Sequence, residues 1–543
     1  MTFFLGDQQE EQIGLTYVLS QLSLETEYGR ECRDRLQPVP PESLEVLTDA
    51  WEDIDRYLTE HREHPAVLKE LRKMLHGMHN IRGSIHTAAS GKTLTDVDLY
   101  EIKKQAFAME RIRRHLKTHR RLAVREVELH SLRWLTELLD PEETGIETFY
   151  LYDAYDEELA EIRKQKRKVE EQIHQRQNQM KKTCKNIPGA QVLWTGEVLV
   201  PRTQLSVCEQ VEQLGTYRQT GETGEDLIYQ PKPLKEQEEL EELLMKEEKT
   251  ENQVRIWISQ RIGSAFDELR ANTEAVAKLD LLLGKTLLAV KHRACRPTLS
   301  HKREINIQEG RHPLLEDDLR KDRRSIVPVD IHLQQGATVI TGANMGGKTL
   351  SLKMVALLTV MAQMGFWVPA GSFDFSPVAH LYFSSGDPQS QAKGLSTFGG
   401  EIHGIIRVLQ HAHREGLILL DELAGGTNPQ EGSSLSRAIV SHLSRKPGIS
   451  AVTTHYDGVA DLQGVVHYQV AGLNREMIGK LKKDMREKGW KPGLLDGVMD
   501  YRLLRRKPGS PVSRDAIAVA EIMGLPEPIL LEARRILGSE KGK

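Results

Sequence analysis

The amino-acid sequence predicts an α-helical half, made of a core and coiled-coil arms, followed by an α/β domain. Apolar residues recur at three-to-four spacing among many charges over residues 1–150, as they do in packed amphipathic helices. A highly charged helical stretch over residues 157–186 has too few apolar positions to bury a wide face. After Pro297, short apolar runs alternate with helical segments, which is typical of a sheet covered by helices.

The length of the chain and the positions of these changes predict three domains. The chain has 543 residues, and a domain usually takes about 100–200. The predicted ranges are 1–156 for a helical core, 157–299 for the arms with a small tip at 187–233 and a return helix, and 300–543 for the α/β domain.

Composition limits the class of protein. Charged residues make up 28% and aromatic residues 5%, which favours long solvated helices over an all-β protein. The formal net charge of −4 excludes a uniformly basic surface for nucleic acid but leaves room for a local basic patch. The four cysteines form no C-x-x-C pair, the N-terminus turns acidic too early for a signal peptide, and the longest apolar stretch, Met354–Ala370, is short for a membrane span. We therefore expect a cytoplasmic protein with no membrane partner.

The helices of the first half are predicted from apolar periodicity. Pro38, Pro40 and Pro41 break the chain before the first of them, and Ala88–Gly91 separates the second from the third. The predicted helices are Leu44–Leu58, Ala66–His79 and Thr95–His119.

The arms are predicted from three consecutive segments. Residues 157–186 form a charged helix, residues 187–233 introduce Gly, Pro and Thr with short β-like runs, and helix resumes at Leu234. From Val254 to Leu279 the apolar spacing is that of one long packed helix. Together these segments predict two antiparallel arms with a small tip between them.

The α/β domain is predicted from five short apolar runs. Because these runs alternate with helical segments, a parallel or mixed sheet is expected. The predicted strands are Ala337–Thr341, Val378–Ser384, Leu417–Asp421, Ala451–Thr454 and Val465–Val470.

A glycine-rich motif directly follows the first of these strands and opens a predicted helix. It fits G-x-x-x-x-G-K-[ST], in which backbone N–H groups of the loop and the helix N-terminus bind phosphate oxygens. Lys348 is expected to reach the β- and γ-phosphates of ATP, and Thr349 is expected to bind Mg²⁺. The motif residues are Gly342, Ala343, Asn344, Met345, Gly346, Gly347, Lys348 and Thr349.

Two acidic residues at the end of the 417–421 strand complete the predicted hydrolytic site. Asp421 is expected to hold Mg²⁺, directly or through water. Glu422 is placed to orient and polarise the attacking water. The sequence therefore predicts an ATPase that uses ATP and Mg²⁺.

Two further features allow more than one interpretation. His455 ends a strand beside the predicted phosphate site, where it would sense the γ-phosphate, although a lone histidine also serves structural roles. The stretch Ser396–Glu401 precedes a helix, so Ser396 and Thr397 form either a plain helix cap or part of a nucleotide site.

Taken together, these motifs resemble the ATPase domain of the MutS family in residues, order and approximate spacing. The helical half resembles the MutS core and clamp arms, and Leu279–Lys285 resembles the last core helix. The motifs that carry the resemblance are Gly310–Pro313, Thr341–Thr349, Ser396–Phe398, Asp421–Glu422 with Gly426–Thr427, and Thr454–Tyr456.

The resemblance implies properties that the motifs alone do not. MutS ATPases resemble the ABC class and work as dimers with composite sites, so a homodimer or a heterodimer with a related subunit is expected. In such a dimer Ser396 and Thr397 would approach the nucleotide held by the other subunit. Family members use nucleotide binding to change the geometry of their clamp.

The sequence departs from the mismatch-repair branch of the family at several positions. Ala343 stands where that branch usually has Pro, and Ala424–Gly425 replaces the usual Gly-Arg. Asn428–Gly432 is closer to the bacterial subfamily that lacks mismatch recognition. The mismatch-reading domain and the nuclease module of that subfamily are expected to be absent, and Phe266–Glu268 lies in a predicted helix rather than in a base-reading wedge.

Two hypotheses for the ligand stay open, and the first is DNA with a branched or mismatched structure. Basic runs at 163–168 and 181–185 on one arm would contact phosphates, although such runs, interleaved here with Glu170 and Glu171, are more often a solvated helix face. The tip at 187–233 argues against DNA, since it carries six acidic and three basic residues.

The second hypothesis is a chaperone-like reactivase ATPase for a cobalamin-dependent aminomutase of the lysine 5,6-aminomutase type. Stand-alone MutS-like proteins of that kind are similar in length and layout, and Met499–Leu503 and Pro511–Ile517 resemble them. Both hypotheses use the same ATPase residues, so the motifs do not discriminate between them.

Overall fold

A helical N-terminal region is followed by an α/β region, as the sequence predicts. A computed structural model of the chain describes residues 5–342, 347–385, 397–411, 415–473, 499–507 and 516–539. Within these ranges no helix is long and apolar enough to cross a membrane. Every cysteine of the chain lies within them, and all four are free thiols.

The N-terminal region consists of short and medium helices. The three helices predicted from periodicity are confirmed as α4, α5 and α7, and α5 begins at Pro65, whose fixed φ angle suits a first helical position. The helices are α1 (Asp7–Ile13), α2 (Leu15–Ser20), α3 (Glu27–Asp34), α4 (Leu44–Glu63), α5 (Pro65–Leu75), α6 (Arg82–Ala89), α7 (Asp96–Thr118) and α8 (Arg133–Leu139).

The next part contains two long helices with a small sheet between them. Its elements are α9 (Glu157–Lys185), β1 (Gln191–Val192), β2 (Val198–Pro201), α10 (Leu205–Gln213), β3 (Tyr217–Glu222), β4 (Asp226–Pro231), α11 (Lys235–Ser264) and α12 (Phe266–Lys291). The four strands form one sheet in the order β1-β2-β4-β3.

Helices α9 and α11 pack against each other in antiparallel directions. Arg163 near the start of α9 pairs with Glu247 and Glu251 in the middle of α11, whereas Arg176, further along α9, pairs with Glu236 near the start of α11. The predicted antiparallel pair with a small module between is therefore present. Its coiled-coil character stays a prediction.

The return helix differs from the prediction, because two helices stand where one was expected. Ala265, with φ −102° and ψ 21°, separates α11 from α12. The apolar spacing continues across this break, since both helices bury an apolar stripe, and periodicity alone does not reveal it.

The remaining elements form the α/β region. They are β5 (Thr298–Leu299), β6 (Glu304–Gly310), α13 (Pro313–Lys321), β7 (Val329–Gln334), β8 (Gly336–Thr341), α14 (Lys348–Gln363), β9 (Ser372–Phe375), β10 (His380–Ser385), α15 (Thr397–His411), β11 (Gly416–Asp421), α16 (Pro429–Leu443), β12 (Ile449–Thr453), β13 (Val466–Leu473), β14 (Met499–Arg506), α17 (Ala516–Ile522) and α18 (Glu527–Ser539).

A six-stranded mixed sheet is the centre of this region. Its order is β10-β11-β12-β8-β13-β14, with parallel pairs except for β14, which runs antiparallel to β13. All five predicted strands lie in it. Alternate residues of β11 point into two different apolar cores, Leu417 and Leu419 into one and Ile418 and Leu420 into the other. Helix α14 belongs to the first core and α15 and α16 to the second, so helices cover both faces.

The chain divides into two compact units. One contains residues 1–77, 118–127 and 276–543, and the other contains residues 78–117 and 128–275. The division into domains at 1–156, 157–299 and 300–543 stays a prediction.

The N-terminal helices are attached to the α/β region within the first unit. Gln9 on α1 donates from Nε2 to the carbonyl oxygen of Phe383 on β10 over 2.6 Å. The backbone N–H of Val39 donates to the carbonyl oxygen of Gln363 at the end of α14 over 2.7 Å. Residues from the start of the chain therefore support both the sheet and its buried helix.

Asp280 on α12 fixes the start of α3. Its carboxylate accepts the backbone N–H groups of Glu25 and Thr26, at 3.1 and 2.8 Å, and the Thr26 hydroxyl at 2.7 Å. Burial raises the pKa of Asp280, while these donors oppose that shift. The carboxylate also lies where a Cβ atom on Gly29 would stand.

Candidate nucleotide-binding site

Three strand ends bring the candidate site together. Strands β11, β12 and β8 are neighbours and run parallel, so their carboxyl ends meet at one edge of the sheet. Such edges are where open α/β sheets bind ligands. Asp421 ends β11, Thr453 ends β12, and Gly342 follows β8.

Lys348 is buried at this edge as the first residue of α14. Its ammonium Nζ donates to the carbonyl oxygen of Gly342 over 2.7 Å, and only 2% of the residue is exposed. Burial lowers the pKa of Lys348, while the carboxylates of Glu422 and Asp421 favour its charged form. An amine held in this way can bind an anion that enters the edge of the sheet.

Asp421 is held by two hydroxyl groups. Thr349, the second residue of α14, donates to Oδ2 over 2.7 Å, and Thr453 donates to Oδ1 over 2.6 Å. The carboxylate and the Thr349 hydroxyl therefore lie side by side. Both are the hard oxygen ligands that Mg²⁺ prefers, so this pair fits such an ion.

The described residues contain no group of three or more His, Cys, Asp or Glu side chains that could hold a metal ion. A Mg²⁺ site does not need one, because this ion usually takes one or two protein ligands and completes its shell with water and phosphate oxygens.

Glu422 has an unusual backbone conformation that Thr453 stabilises. Its φ angle of 51° is in the left-handed region, which is uncommon for a residue other than glycine. Its backbone N–H donates to the Thr453 hydroxyl oxygen over 2.7 Å. The same hydroxyl thus orients both acids. Thr453 is not among the residues predicted from the sequence, although its place at a strand end next to Thr454 and His455 is a usable signal.

The turn after Glu422 is held from two sides. Ala424, with φ 57°, donates its N–H to Oε1 of Glu401 over 2.8 Å, and its carbonyl oxygen accepts the Tyr456 hydroxyl over 2.9 Å. Burial raises the pKa of Glu401, and the Ala424 N–H opposes the shift. Helix α15 and the segment after β12 therefore share the support of this turn.

His455 lies at the same strand edge and is exposed. Its ring centroid is 4.3 Å from that of Tyr456. Gly342 and Gly347 have φ angles of 129° and 78°, which glycine adopts without strain.

Some of the predicted site residues lie outside the described residues. These are Ala343, Asn344, Met345, Gly346 and Ser396; Thr397 is described only as the first residue of α15.

The basic runs on α9 differ in how far they are neutralised. Arg163 pairs with Asp153, Glu247 and Glu251, and Lys166 pairs with Glu247. In contrast, Lys182 and Lys185 near the end of α9 are exposed. Lys164, Arg167 and Lys168 of the first run are exposed as well, so both runs keep basic side chains that an external anion can reach.

Comparison with known protein families agrees with this site. Residues 338–539 match the family model of MutS domain V. Residues 338–539 thus correspond to a domain of the MutS family. The matched range includes β11, β12, most of β8 and all the side chains of the strand edge described above, so the resemblance drawn from the motifs is confirmed.

Similarity to curated proteins extends beyond this domain. Endonuclease MutS2 of Shouchella clausii is 27% identical over 484 residues, which cover 86% of this chain and 57% of the relative. The proteins of the same name from Thermomicrobium roseum and Lachnospira eligens are 38% and 32% identical, over 52% and 60% of this chain and 34% and 39% of the relatives. The chain thus spans about a third to three fifths of the length of these relatives.

Proposed function

We propose that this MutS-family chain binds ATP with Mg²⁺ at the carboxyl edge of its central sheet and hydrolyses the nucleotide. The buried Lys348 amine, together with an Asp421 carboxylate held by Thr349 and Thr453, carries this proposal. We assign the α/β region to the P-loop NTPase fold of the ABC type on the same grounds.

Each side chain has a distinct task in the proposed reaction. Lys348 would bind the β- and γ-phosphate oxygens, and Thr349 and Asp421 would hold Mg²⁺, which neutralises charge on the phosphates when bound. Glu422 would accept a proton from the attacking water. His455 would contact the γ-phosphate from the end of β12. The Thr453 hydroxyl keeps Asp421 and Glu422 in fixed relative positions.

The proposed active form is a dimer with composite sites. Ser396 and Thr397, at the start of α15, would approach the nucleotide of the second subunit, as the family resemblance implies. A homodimer and a heterodimer with a related subunit both satisfy this requirement.

We propose DNA as the ligand on which this ATPase acts, as a branched or mismatched duplex held between coiled-coil arms, in the cytoplasm. The support is the name of the relatives, Endonuclease MutS2, together with exposed Lys182 and Lys185 on α9. The reactivase hypothesis receives no support from these relatives.

The test is the steady-state ATPase rate of the purified chain with homoduplex, mismatched duplex and four-way-junction DNA, each at two salt concentrations. We expect DNA to stimulate ATP turnover. The stimulation should be weaker at the higher salt concentration, because protein contacts with DNA phosphates release counterions. Turnover that none of these DNAs changes at low salt would remove DNA as the ligand while leaving the ATPase in place. Cobalamin-dependent aminomutase would then be the partner to test.

A further inference from the structure

A second charged cavity lies in the same compact unit as the nucleotide site but uses different residues. It has a volume of about 710 Å³ and lies between the segment after α12, the end of β6, and α13 with the loop that follows it. Its charged lining residues are Arg293, Arg311, Arg320, Arg324, Glu309 and Glu316. The lining thus has an excess of two positive charges, although the whole chain carries −4.

One carboxylate serves three guanidinium groups in this cavity. Glu316 Oε1 lies 2.8 Å from Arg293 Nη2, 3.3 Å from Arg311 Nη1 and 3.5 Å from Arg320 Nη2. A single carboxylate neutralises one positive charge, so the cluster keeps a positive excess. An anion that enters the cavity would supply the missing negative charge.

The neighbouring acid does not remove this excess. Asp317 pairs with Arg320 at 3.2 Å, but it also pairs with Lys291 at 2.9 Å and accepts the hydroxyl of Tyr17. His292 lies 3.7 Å from Glu316, and burial lowers the pKa of this histidine, which favours its neutral form.

The backbone at the mouth of the cavity is strained and fixed. Arg293 and Glu309 have φ angles of 46° and 51°, in the left-handed region that non-glycine residues rarely adopt. Arg311 holds the first by donating from Nη2 to the Arg293 carbonyl oxygen over 2.9 Å, and Asp330 holds the second by accepting the Glu309 N–H over 2.7 Å. Strain of this kind is concentrated at functional sites, and here it sets the positions of one arginine and one acid.

The guanidinium groups differ in exposure in a way that suits ligand binding. The side chain of Arg311 is 9% exposed and forms the floor, whereas those of Arg293 and Arg320 are 72% and 53% exposed and reach solvent. Planar guanidinium groups bind phosphate through paired N–H donors. The volume falls within the range of about 300–1,000 Å³ that is usual for small-molecule sites.

We propose that this cavity is a second anion site that binds the phosphate of a nucleotide-sized ligand through Arg293, Arg311 and Arg320. A free mononucleotide and one nucleotide unit of a nucleic-acid strand share this chemistry. The proposal does not depend on ATP hydrolysis, because none of these residues belongs to the Lys348 site.

Two probes test the site and separate its two sources of ligand. The first is thymidine 5′-monophosphate, measured by titration calorimetry with ADP and Mg²⁺ present to fill the Lys348 site. The second is a short fluorescein-labelled oligothymidylate, measured by fluorescence anisotropy at several salt concentrations. Both titrations are repeated without ADP, so that the result does not depend on nucleotide binding at the Lys348 site.

The variant Arg293→Ser/Arg320→Ser removes the two exposed guanidinium groups and leaves the buried Arg311 in place. We expect at least one probe to bind about tenfold more weakly, since charge-assisted hydrogen bonds to both groups are removed. The matched control Arg35→Ser/Arg270→Ser removes two exposed arginines elsewhere and should bind as the unchanged protein does. Glu309→Gln should bind about threefold more tightly, because it removes the acid at the mouth.

The outcomes are distinct. Binding of both probes, with competition between them, assigns a mononucleotide, and binding of the oligonucleotide alone assigns a strand. The proposal is overturned if neither probe binds, or if the cavity variant and the control variant lose affinity equally.

Discussion

The hydroxyl of Thr453 donates to Oδ1 of Asp421 over 2.6 Å and accepts the backbone N–H of Glu422 over 2.7 Å. One buried side chain on β12 thus fixes two consecutive acids at the end of β11. Neither acid can shift without breaking a hydrogen bond to this hydroxyl. The relationship makes Thr453 a positioning residue for the proposed hydrolysis.

Replacing Thr453 with valine should therefore slow ATP turnover without preventing nucleotide binding. Valine keeps the shape of threonine but lacks the hydroxyl, and a hydrogen bond to a charged group contributes about 1.5–3 kcal/mol. We expect kcat to fall about tenfold to a hundredfold, with a higher Mg²⁺ concentration needed for half-maximal rate and little change in ATP affinity. Thr453→Ser retains the hydroxyl and should keep most of the activity. Equal activity of the unchanged protein, Thr453→Val and Thr453→Ser would show that the hydroxyl is not needed to position Asp421 and Glu422 for hydrolysis.

A pair of glycine substitutions tests the packing of α3 against α12. A Cβ atom at Gly29 would lie 2.3 Å from Oδ2 of Asp280, whereas one at Gly83 in α6 would meet nothing within 4 Å. We expect Gly29→Ala to lower the free energy of unfolding by about 1–3 kcal/mol through steric strain. Gly83→Ala should raise it by up to about 1 kcal/mol, because alanine favours helix. Denaturant unfolding measures both, and a Gly29→Ala protein as stable as Gly83→Ala would contradict the described packing.

His312 should make the fold sensitive to acid. Burial lowers its pKa to about 4, its Nε2 lies 3.0 Å from the carbonyl oxygen of Ile13, and Lys353 adds to the shift. Between about pH 6.5 and 4 the unfolded chain binds a proton that the folded chain does not. The free energy of unfolding therefore keeps its full value above about pH 6.5 and decreases as the pH falls below it. Relative to neutral pH, this histidine lowers the free energy of unfolding by about 2 kcal/mol at about pH 5.

The variant His312→Gln isolates that contribution. Its unfolding free energy should fall less steeply between about pH 6.5 and 5 than that of the unchanged protein, because one proton is no longer taken up on unfolding. His86→Gln, at an exposed position on α6, serves as the control. Identical slopes in the unchanged and His312→Gln proteins would show that this histidine is not buried as described.

The sequence predicts the central strands well because their signal is local. The run Leu417–Asp421 is continuous and apolar up to its final acid, and the observed strand Gly416–Asp421 differs by one residue. The strands β6 and β9 are harder to predict, since apolar and polar residues mix in them and they pair over long separations, as Ile305 does with Phe375. Antiparallel β14 at the sheet edge was missed for the same reason.

Interactions between distant parts of the chain explain the other differences. The N-terminal helices join the α/β unit through hydrogen bonds such as Gln9 to Phe383, which no local pattern contains. In the site, the motifs identify Lys348, Asp421 and Glu422 because they have fixed spacing. Thr453 has no such motif, and only the pairing of β11 with β12 brings its hydroxyl to Asp421.

The arms provide a prediction about DNA. Arg163 is tied to Asp153, Glu247 and Glu251, whereas Lys182 and Lys185 are exposed. In a DNA-binding titration, Lys182→Ala/Lys185→Ala should reduce the slope of log affinity against log salt by about two, because each lysine would neutralise about one phosphate. Arg163→Ala should lower stability instead and leave that slope unchanged. The opposite pattern would place the DNA-binding surface at the start of α9.

The central claim, hydrolysis of ATP at the carboxyl edge of the sheet, is tested most directly by steady-state phosphate release from ATP and Mg²⁺. We predict turnover by the unchanged protein and by Lys353→Ala, which alters a lysine on the same helix outside the site. We predict loss of turnover in Lys348→Ala, because the amine that would bind the phosphates is removed, and in Glu422→Gln, which should still bind ATP and accumulate in the bound state. Normal turnover by Glu422→Gln or Lys348→Ala would contradict the claim.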